Sequence, residues 1–364
     1  MHIYGYLKKN LDTFEVAPFK SLDALAIAWM AYFDFCYVKD QLPLTIKEIG
    51  DIPYFKTKEP YIGSLVSQYS CKFMHALATS PRFQDAELLK YEYILDKESN
   101  AQFAVVAVRI AGIILIAFRG TDSSYTGWRE DFELAYKGRI VSYSLADTFV
   151  KDILSRYEEN IVLCGHSKGG NVATYLLSQF EDVSRIEHVY SFDGPGFRIH
   201  GLFLGREDRL KKITKIIPQS SLVGVLFSNE TDVTIVKSKS ITLMQHVPIY
   251  WYVKDNDFIH VKKRTLISRR LEKSINAWIE GLEAKEKERF TDIIFGGLDK
   301  LEAKDFVAFF RRLSKQFKPM YEAYLSLDME DKKLLLKVYL KLIRNMIVPE
   351  RNKAISQKKA TVKN

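Results

Sequence analysis

Serine, histidine and aspartate side chains together can carry acyl transfer, and the most specific spacing in this sequence surrounds a serine. Residues 161–177 read IVLCGHSKGGNVATYLL, in which Gly165, His166, Ser167, Lys168 and Gly169 form a G-x-S-x-G match between strand-like and helix-like apolar runs. At such a strand-to-helix turn the serine is strained, and its hydroxyl stands clear of the sheet. Side chains at the two glycine positions would collide with the neighbouring strand and helix. The helix starting behind Ser167 aims free amides at a reacting carbonyl, so the Lys168 amide is the expected oxyanion donor. His166, adjacent in the turn, is expected to pack or orient.

A serine hydroxyl is inert without a base. Of the seven histidines, His246 is the candidate. It lies late in the chain, ahead of Pro248 and the run IYWYV, which gives the order serine, acid, histidine. The candidate acid is Asp193 in SFDGPG, where Gly194, Pro195 and Gly196 shape the loop. The competing reading of Asp193 is a loop cap bonded to its own amides. Glu230 and Asp232, in FSNETDVTI, are the alternative acids, and a dyad oriented by a non-carboxylate partner is a further option. In LIAFRGTDSSYTGWREDF, Thr121 offers an amide and a hydroxyl as a second oxyanion donor. The plainer reading of that loop is an ion pair between Arg119 and Asp122.

These residues need elements to position them. Residues 103–110 and 113–118 are β-rich runs joined at Ala111 and Gly112, a hairpin signal. Both are apolar at nearly every position, as in strands covered on two faces. Residues 144–157 read as a helix, 160–164 as a buried strand, 169–180 as a helix and 188–192 as a strand. Short strands follow at 213–217, 233–236 and 249–253. This alternation predicts an α/β layer architecture with a mainly parallel sheet. Earlier, residues 21–35 (SLDALAIAWMAYFDF) predict an apolar helix capped at Ser21 or Asp23, within a helical and irregular stretch extending to about residue 95. Beyond residue 264 the periodicity is helical. Glu283 and Lys287 form an i,i+4 pair suited to an exposed face, and Leu334, Leu335, Val338, Leu340 and Leu342 supply an apolar stripe. The expected organisation is a catalytic domain over 1–263, a helical region over 264–350 and a basic, disordered tail over 351–364.

Taken together, AFRGT, GHSKGGN and FDGPGF resemble the class 3 lipase family of α/β hydrolases. With IIPQSS and a later QH before tryptophan, the resemblance extends to a group of lipase-like proteins from Gram-positive bacteria. It spans roughly residues 20–260 and implies an α/β-hydrolase fold there, with the unmatched helical periodicity beyond residue 264 read as a C-terminal helical extension. It also implies esterase or lipase-like activity without cofactor or metal, Thr121 at the oxyanion hydroxyl position and His246 as the histidine. One departure stands out. Where that family carries an aspartate after the strand at 213–217, this sequence has Ser220 and Ser221.

Composition narrows the classes further. The 364 residues are 47% hydrophobic and 27% charged, which is ordinary for a globular chain. Three widely spaced cysteines suggest neither a disulfide framework nor a zinc site, and no signal peptide or bilayer-length apolar run is evident, so a cytoplasmic setting is expected. The net charge is +9, with five basic and no acidic residues from 351 to 364. Nucleic acid is a poor fit, because no basic-aromatic array accompanies the charge. The tail instead suits weak contact with an anionic membrane surface. The expected partner is a small-molecule or lipid ester, and the competing class is a binding module that retains the fold without catalysis.

Overall fold

The computed structural model describes residues 2–62, 70–240, 242–300 and 313–347. Its main sheet carries strands in sequential order: β1 (Leu44–Thr45), β2 (Glu87–Asp96), β3 (Ala101–Ile110), β4 (Ile113–Phe118), β5 (Ile161–His166), β6 (Ile186–Phe192), β7 (Ile213–Pro218) and β8 (Val233–Val236). Pairing is antiparallel from β1 to β4 and parallel from β4 to β8. Parallel neighbours need a crossover. α-Helices supply it from β4 to β5 and from β5 to β6, a 3-10 turn at Glu207–Lys212 lies between β6 and β7, and a loop joins β7 to β8. In chain order the helices are α1 (Ile3–Lys9), α2 (Ser21–Met30), α3 (Ile46–Asp51), α4 (Ser70–Ala78), α5 (Tyr125–Glu133), α6 (Val141–Arg156) and α7 (Lys168–Gln179). There follow α8 (Leu266–Glu280), α9 (Ala284–Lys300), α10 (Leu313–Leu325) and α11 (Met329–Ile347).

Two apolar cores sandwich the sheet. One joins α2 to residues such as Val106, Leu115 and Val162. The other joins α6 and α7 to Val105, Ile116 and Leu163. The opposite faces of β3 to β5 therefore enter different cores, which explains why these strands read as unbroken apolar runs. This is the α/β-hydrolase arrangement with C-terminal helices added. No described helix is long and apolar enough to cross a membrane.

The carboxyl ends of the parallel strands fall on one edge, where such sheets bind ligands. Thr121 follows β4, Ser167 follows β5, Asp193 follows β6, and Ser220 and Ser221 follow β7. After β8 the chain reaches the 3-10 turn Thr242–His246 that carries the histidine. Fold and candidate site thus follow from the same topology.

Several local expectations are corrected. A full strand, β2, lies within the stretch read as helical and irregular, and it pairs along β3. The helix at residue 21 stops at Met30 and is capped from inside. Asp23 accepts the Lys20 amide at 2.8 Å, while its carboxylate also takes Tyr6 and Arg82. Residues 249–253 are not one strand. Pro248 opens a 3-10 turn, Pro248–Tyr250, and only Val253–Lys254 pairs, with Asp257–Phe258. In α11, Leu340 is exposed rather than part of the apolar stripe. Lys287 is buried while Glu283 is exposed, so they do not form the expected surface pair. Part of the helical run read at 303–317, and the whole tail 351–364, lie outside the described residues.

Candidate active site

Ser167 occupies the turn between β5 and α7 with φ 60° and ψ −131°. A positive φ at a residue other than glycine is strained by about 1–3 kcal/mol and persists only where the surroundings enforce it. Here the enforcement is tight packing. A Cβ at Gly165 would lie 2.3 Å from the Gly169 carbonyl carbon, and one at Gly169 would lie 2.0 Å from the Phe118 oxygen. The Ser167 amide donates to Phe192 O at 2.9 Å, tying the turn to β6.

Asp193 and His246 meet at this edge. His246 Nδ1 lies 2.7 Å from Asp193 Oδ2. A carboxylate only accepts, so Nδ1 donates and Nε2 is left with its lone pair. Asp193 is fully buried. Its other oxygen accepts the Ser221 hydroxyl at 2.5 Å and the Gly224 amide at 3.1 Å. Ser221, standing where the resembled family carries its acid, thus serves the carboxylate donated by the neighbouring strand. The alternative acids are placed elsewhere. Glu230 accepts the Leu202 and Phe203 amides at 2.7 and 3.2 Å, and Asp232 is exposed without a bond to His246.

The histidine turn is held from three sides. His166 Nε2 is 2.7 Å from the His246 carbonyl and its Nδ1 is 2.8 Å from Tyr32 Oη. A carbonyl cannot donate, so Nε2 carries the proton and Nδ1 accepts from Tyr32. Burial first, and then the neighbouring His246, push the His166 pKa well below the usual histidine range, consistent with that neutral tautomer. Trp251 Nε1 donates to Gln245 O at 2.7 Å, and the Ser220 amide donates to Gln245 Oε1 at 3.0 Å. His166 is therefore an orienting residue. Tyr32 and Gln245 had no sequence signal beyond lying in the apolar run at 21–35 and beside the histidine.

On the opposite side, the Thr121 and Lys168 amides donate to no protein group among the described residues. Thr121 Oγ1 is buried without a well-formed hydrogen bond. Arg119 does pair with Asp122, at 3.1 Å, so the loop is pinned as well as open to the site. The Lys168 side chain turns to a buried polar cluster, donating to Gln102 O at 2.7 Å and Glu130 Oε2 at 2.5 Å. Gln102 and Glu130 carried no sequence signal as its partners. Next to them, burial pushes the Asp131 carboxyl up to about 6, against the pull of Lys168 and the Thr121 hydroxyl.

Ser167, His246, Thr121 and Asp131 open onto one cavity of about 600 Å³. Its walls are largely apolar: Trp29 from α2, Trp128 and Phe132 from α5, Ile275 and Trp278 from α8, and Phe290 from α9. Ser167 Oγ forms no hydrogen bond among the described residues, so serine and histidine share the cavity without closing a bond. Catalytic hydrogen bonds often tighten only around substrate. The sequence left open whether the segment after Ser123 or the C-terminal helices cover the site. Both do. No cluster of three or more metal-ligating side chains occurs among the described residues.

The sequence model of the Mbeg1-like family matches residues 77–296. The chain belongs to the Mbeg1-like family. The Mbeg1-like region contains Thr121, Ser167, Asp193 and His246, and it takes in α8 and most of α9. Most of the cavity wall thus lies inside the matched residues, while Trp29, Tyr32 and Tyr61 line it from the chain before them. Among solved structures, this Mbeg1-like chain is similar to the Lip2 lipase of Yarrowia lipolytica, with 15% identity and a TM-score of 0.32. That match covers 60% of this chain and 93% of the lipase. No curated protein matches the sequence.

Proposed function

We propose that this protein is a serine hydrolase that cleaves carboxylic esters through an acyl-enzyme, in the manner of class 3 lipases. The observation that carries the reading is His246, which is bonded to buried Asp193 and opens onto the same largely apolar cavity as a serine at a positive-φ elbow. Ser167 Oγ attacks the ester carbonyl while His246 Nε2 takes its proton. Asp193 holds the Nδ1–H and stabilises the imidazolium that forms. The Thr121 and Lys168 amides, unengaged by protein groups, receive the oxyanion. His246 then protonates the leaving alcohol. A water, deprotonated by the same nitrogen, cleaves the acyl-enzyme, so ester and water become acid and alcohol.

The apolar walls favour an acyl or alkyl group over a polar one. Fluorophosphonate labelling with peptide mapping tests the assignment. Ser167 should carry the label, and Ser167→Ala should lose both labelling and turnover of a p-nitrophenyl ester. Undiminished turnover by folded Ser167→Ala would overturn it. A folded wild-type protein that neither labels nor turns over esters would favour the binding-module reading.

A further inference from the structure

Two lysines line the cavity, in opposite circumstances. Lys168 is fully engaged by Glu130 and Gln102. Lys287, on α9, is only 8% exposed, and its ammonium forms no hydrogen bond or ion pair among the described residues. It lies on the inward stripe of α9. Phe290 and Thr291, three and four residues on, also line the cavity, and Phe295 and Leu298 pack with Trp128 and Phe132 of α5. Every other residue named on this stripe is apolar or a threonine whose hydroxyl is used, since Thr291 donates to Lys287 O at 2.8 Å.

An ammonium removed from water without a partner is costly, and proteins ordinarily supply a carboxylate or avoid the burial. The obvious intrahelical partner, Glu283, is exposed instead. The surroundings make matters worse for the cation. Burial first, then the nearby Arg198, lower the Lys287 pKa, and Glu280 only partly opposes them. A lysine at a cavity rim can snorkel its charge to solvent. Lys287 is mostly buried and is itself among the residues that line the cavity. A positive, unpaired group at the wall of a largely apolar chamber is complementary to a ligand that brings its own anion on an apolar body.

We propose that Lys287 receives an anionic group, carboxylate or phosphate, carried by an amphiphilic substrate whose ester lies at Ser167. The proposal rests on the hydrolase reading for the position of the ester, but the anion site itself does not depend on turnover. The substrate class is therefore an ester with a second, charged end, such as a monoester of a dicarboxylic acid or a phosphate-bearing acyl ester. The cap helix that closes the chamber also reads the far end of the ligand.

Two measurements separate this proposal from the catalytic one. In the first, kcat/KM is compared for p-nitrophenyl hydrogen dicarboxylates and neutral p-nitrophenyl acyl esters of equal chain length. Wild type should favour the anionic series at one chain length by at least about tenfold, the worth of one charge-assisted hydrogen bond. Lys287→Met should erase that ratio, and Lys287→Arg should retain most of it. In the second, Ser167→Ala protein is titrated with decyl phosphate, monomethyl decanedioate and decanol below their micelle concentrations. Binding is read by tryptophan fluorescence, since Trp29, Trp128 and Trp278 line the cavity. Either anion should bind at least about tenfold more tightly than decanol, and the tighter of the two identifies the anion. Placing Lys287→Met in the same protein should remove the difference. Equal binding of all three, or the same preference with and without Lys287, would overturn the anion site. Absence of ester turnover with intact, Lys287-dependent anion binding would overturn only the hydrolase reading.

Discussion

In the proposed reaction, a single carboxylate makes the difference between a serine in a turn and a serine with a working base. Asp193 spends its two oxygens differently: Oδ2 holds His246, and Oδ1 is held by Ser221 and Gly224. This division predicts graded effects. Asp193→Asn removes the charge and can present a donor to Nδ1, so kcat should fall by about 10⁴-fold with KM little changed. Ser221→Ala leaves the charge but removes one donor to it. A hydrogen bond to a charged group is worth about 1.5–3 kcal/mol, so kcat should fall by about 10- to 100-fold if much of that orients the pair. Steady-state kinetics on a soluble ester with both variants checks the order. Equal losses would mean that Ser221 is as indispensable as the acid, and no loss in either would remove Asp193 from the reaction.

Between elements, the buried pair of Lys168 and Glu130 joins the first residue of α7 to α5, which lines the cavity beneath the cap. Breaking a buried pair by removing one partner strands the other charge and costs about 3–5 kcal/mol. Glu130→Gln should therefore destabilise the fold by that order. Lys168→Met combined with Glu130→Leu should recover much of the loss in denaturant unfolding, because neither charge is then left alone. Recovery would separate a structural role for this side-chain pair from the role proposed for the Lys168 amide. The legibility of the sequence follows the same division between backbone and side chain. Ser167, Asp193 and His246 were readable because strand ends and glycine turns leave strong local signatures. The partners of Lys168 and the second oxygen of Asp193 were not, because Glu130 and Ser221 meet them only through tertiary packing. β2 was missed for a related reason. Its sequence, ELLKYEYILD, mixes charged and apolar residues, and only Leu88, Leu89 and Tyr91 of it are buried, because it lies towards the sheet edge. Lys287 misled most directly, since an i,i+4 acid–base spacing says nothing about which face of the helix a cap turns inward.

Across the whole molecule, several buried titratable groups pull stability in different directions with pH. His166 has a folded pKa well below its unfolded 6.5, so the folded state binds fewer protons and stability is lost as pH falls below about that value. Asp131, raised from 3.8 to about 6, acts oppositely and loses its contribution as pH rises through that interval. The two partly offset each other in mild acid. Above them lies Lys215 on β7, which burial pushes down from 10.5 to about 7 although Asp193 opposes the shift, and which donates to Asn229. Between about 7 and 10.5 the unfolded lysine binds more protons than the folded one, so stability should rise with pH across that range. The rise is cut short from above. Buried Cys164 is pushed up from 9.0, so its contribution is present below pH 9.0 and declines as its unfolded form ionises. The thermal midpoint should therefore climb from pH 7 to about 9 and then level off. Lys215→Met removes the charge that drives the climb. Relative to wild type, this variant should melt several degrees higher at pH 7, because the folded lysine holds its proton far more weakly than the unfolded one. The difference should shrink towards pH 9 as the wild-type lysine becomes neutral in the folded state. Scanning fluorimetry at half-unit pH steps reads both curves. Parallel curves would mean that Lys215 stays charged when folded and takes its stabilisation from Asp193, making it part of the electrostatic support of the candidate acid.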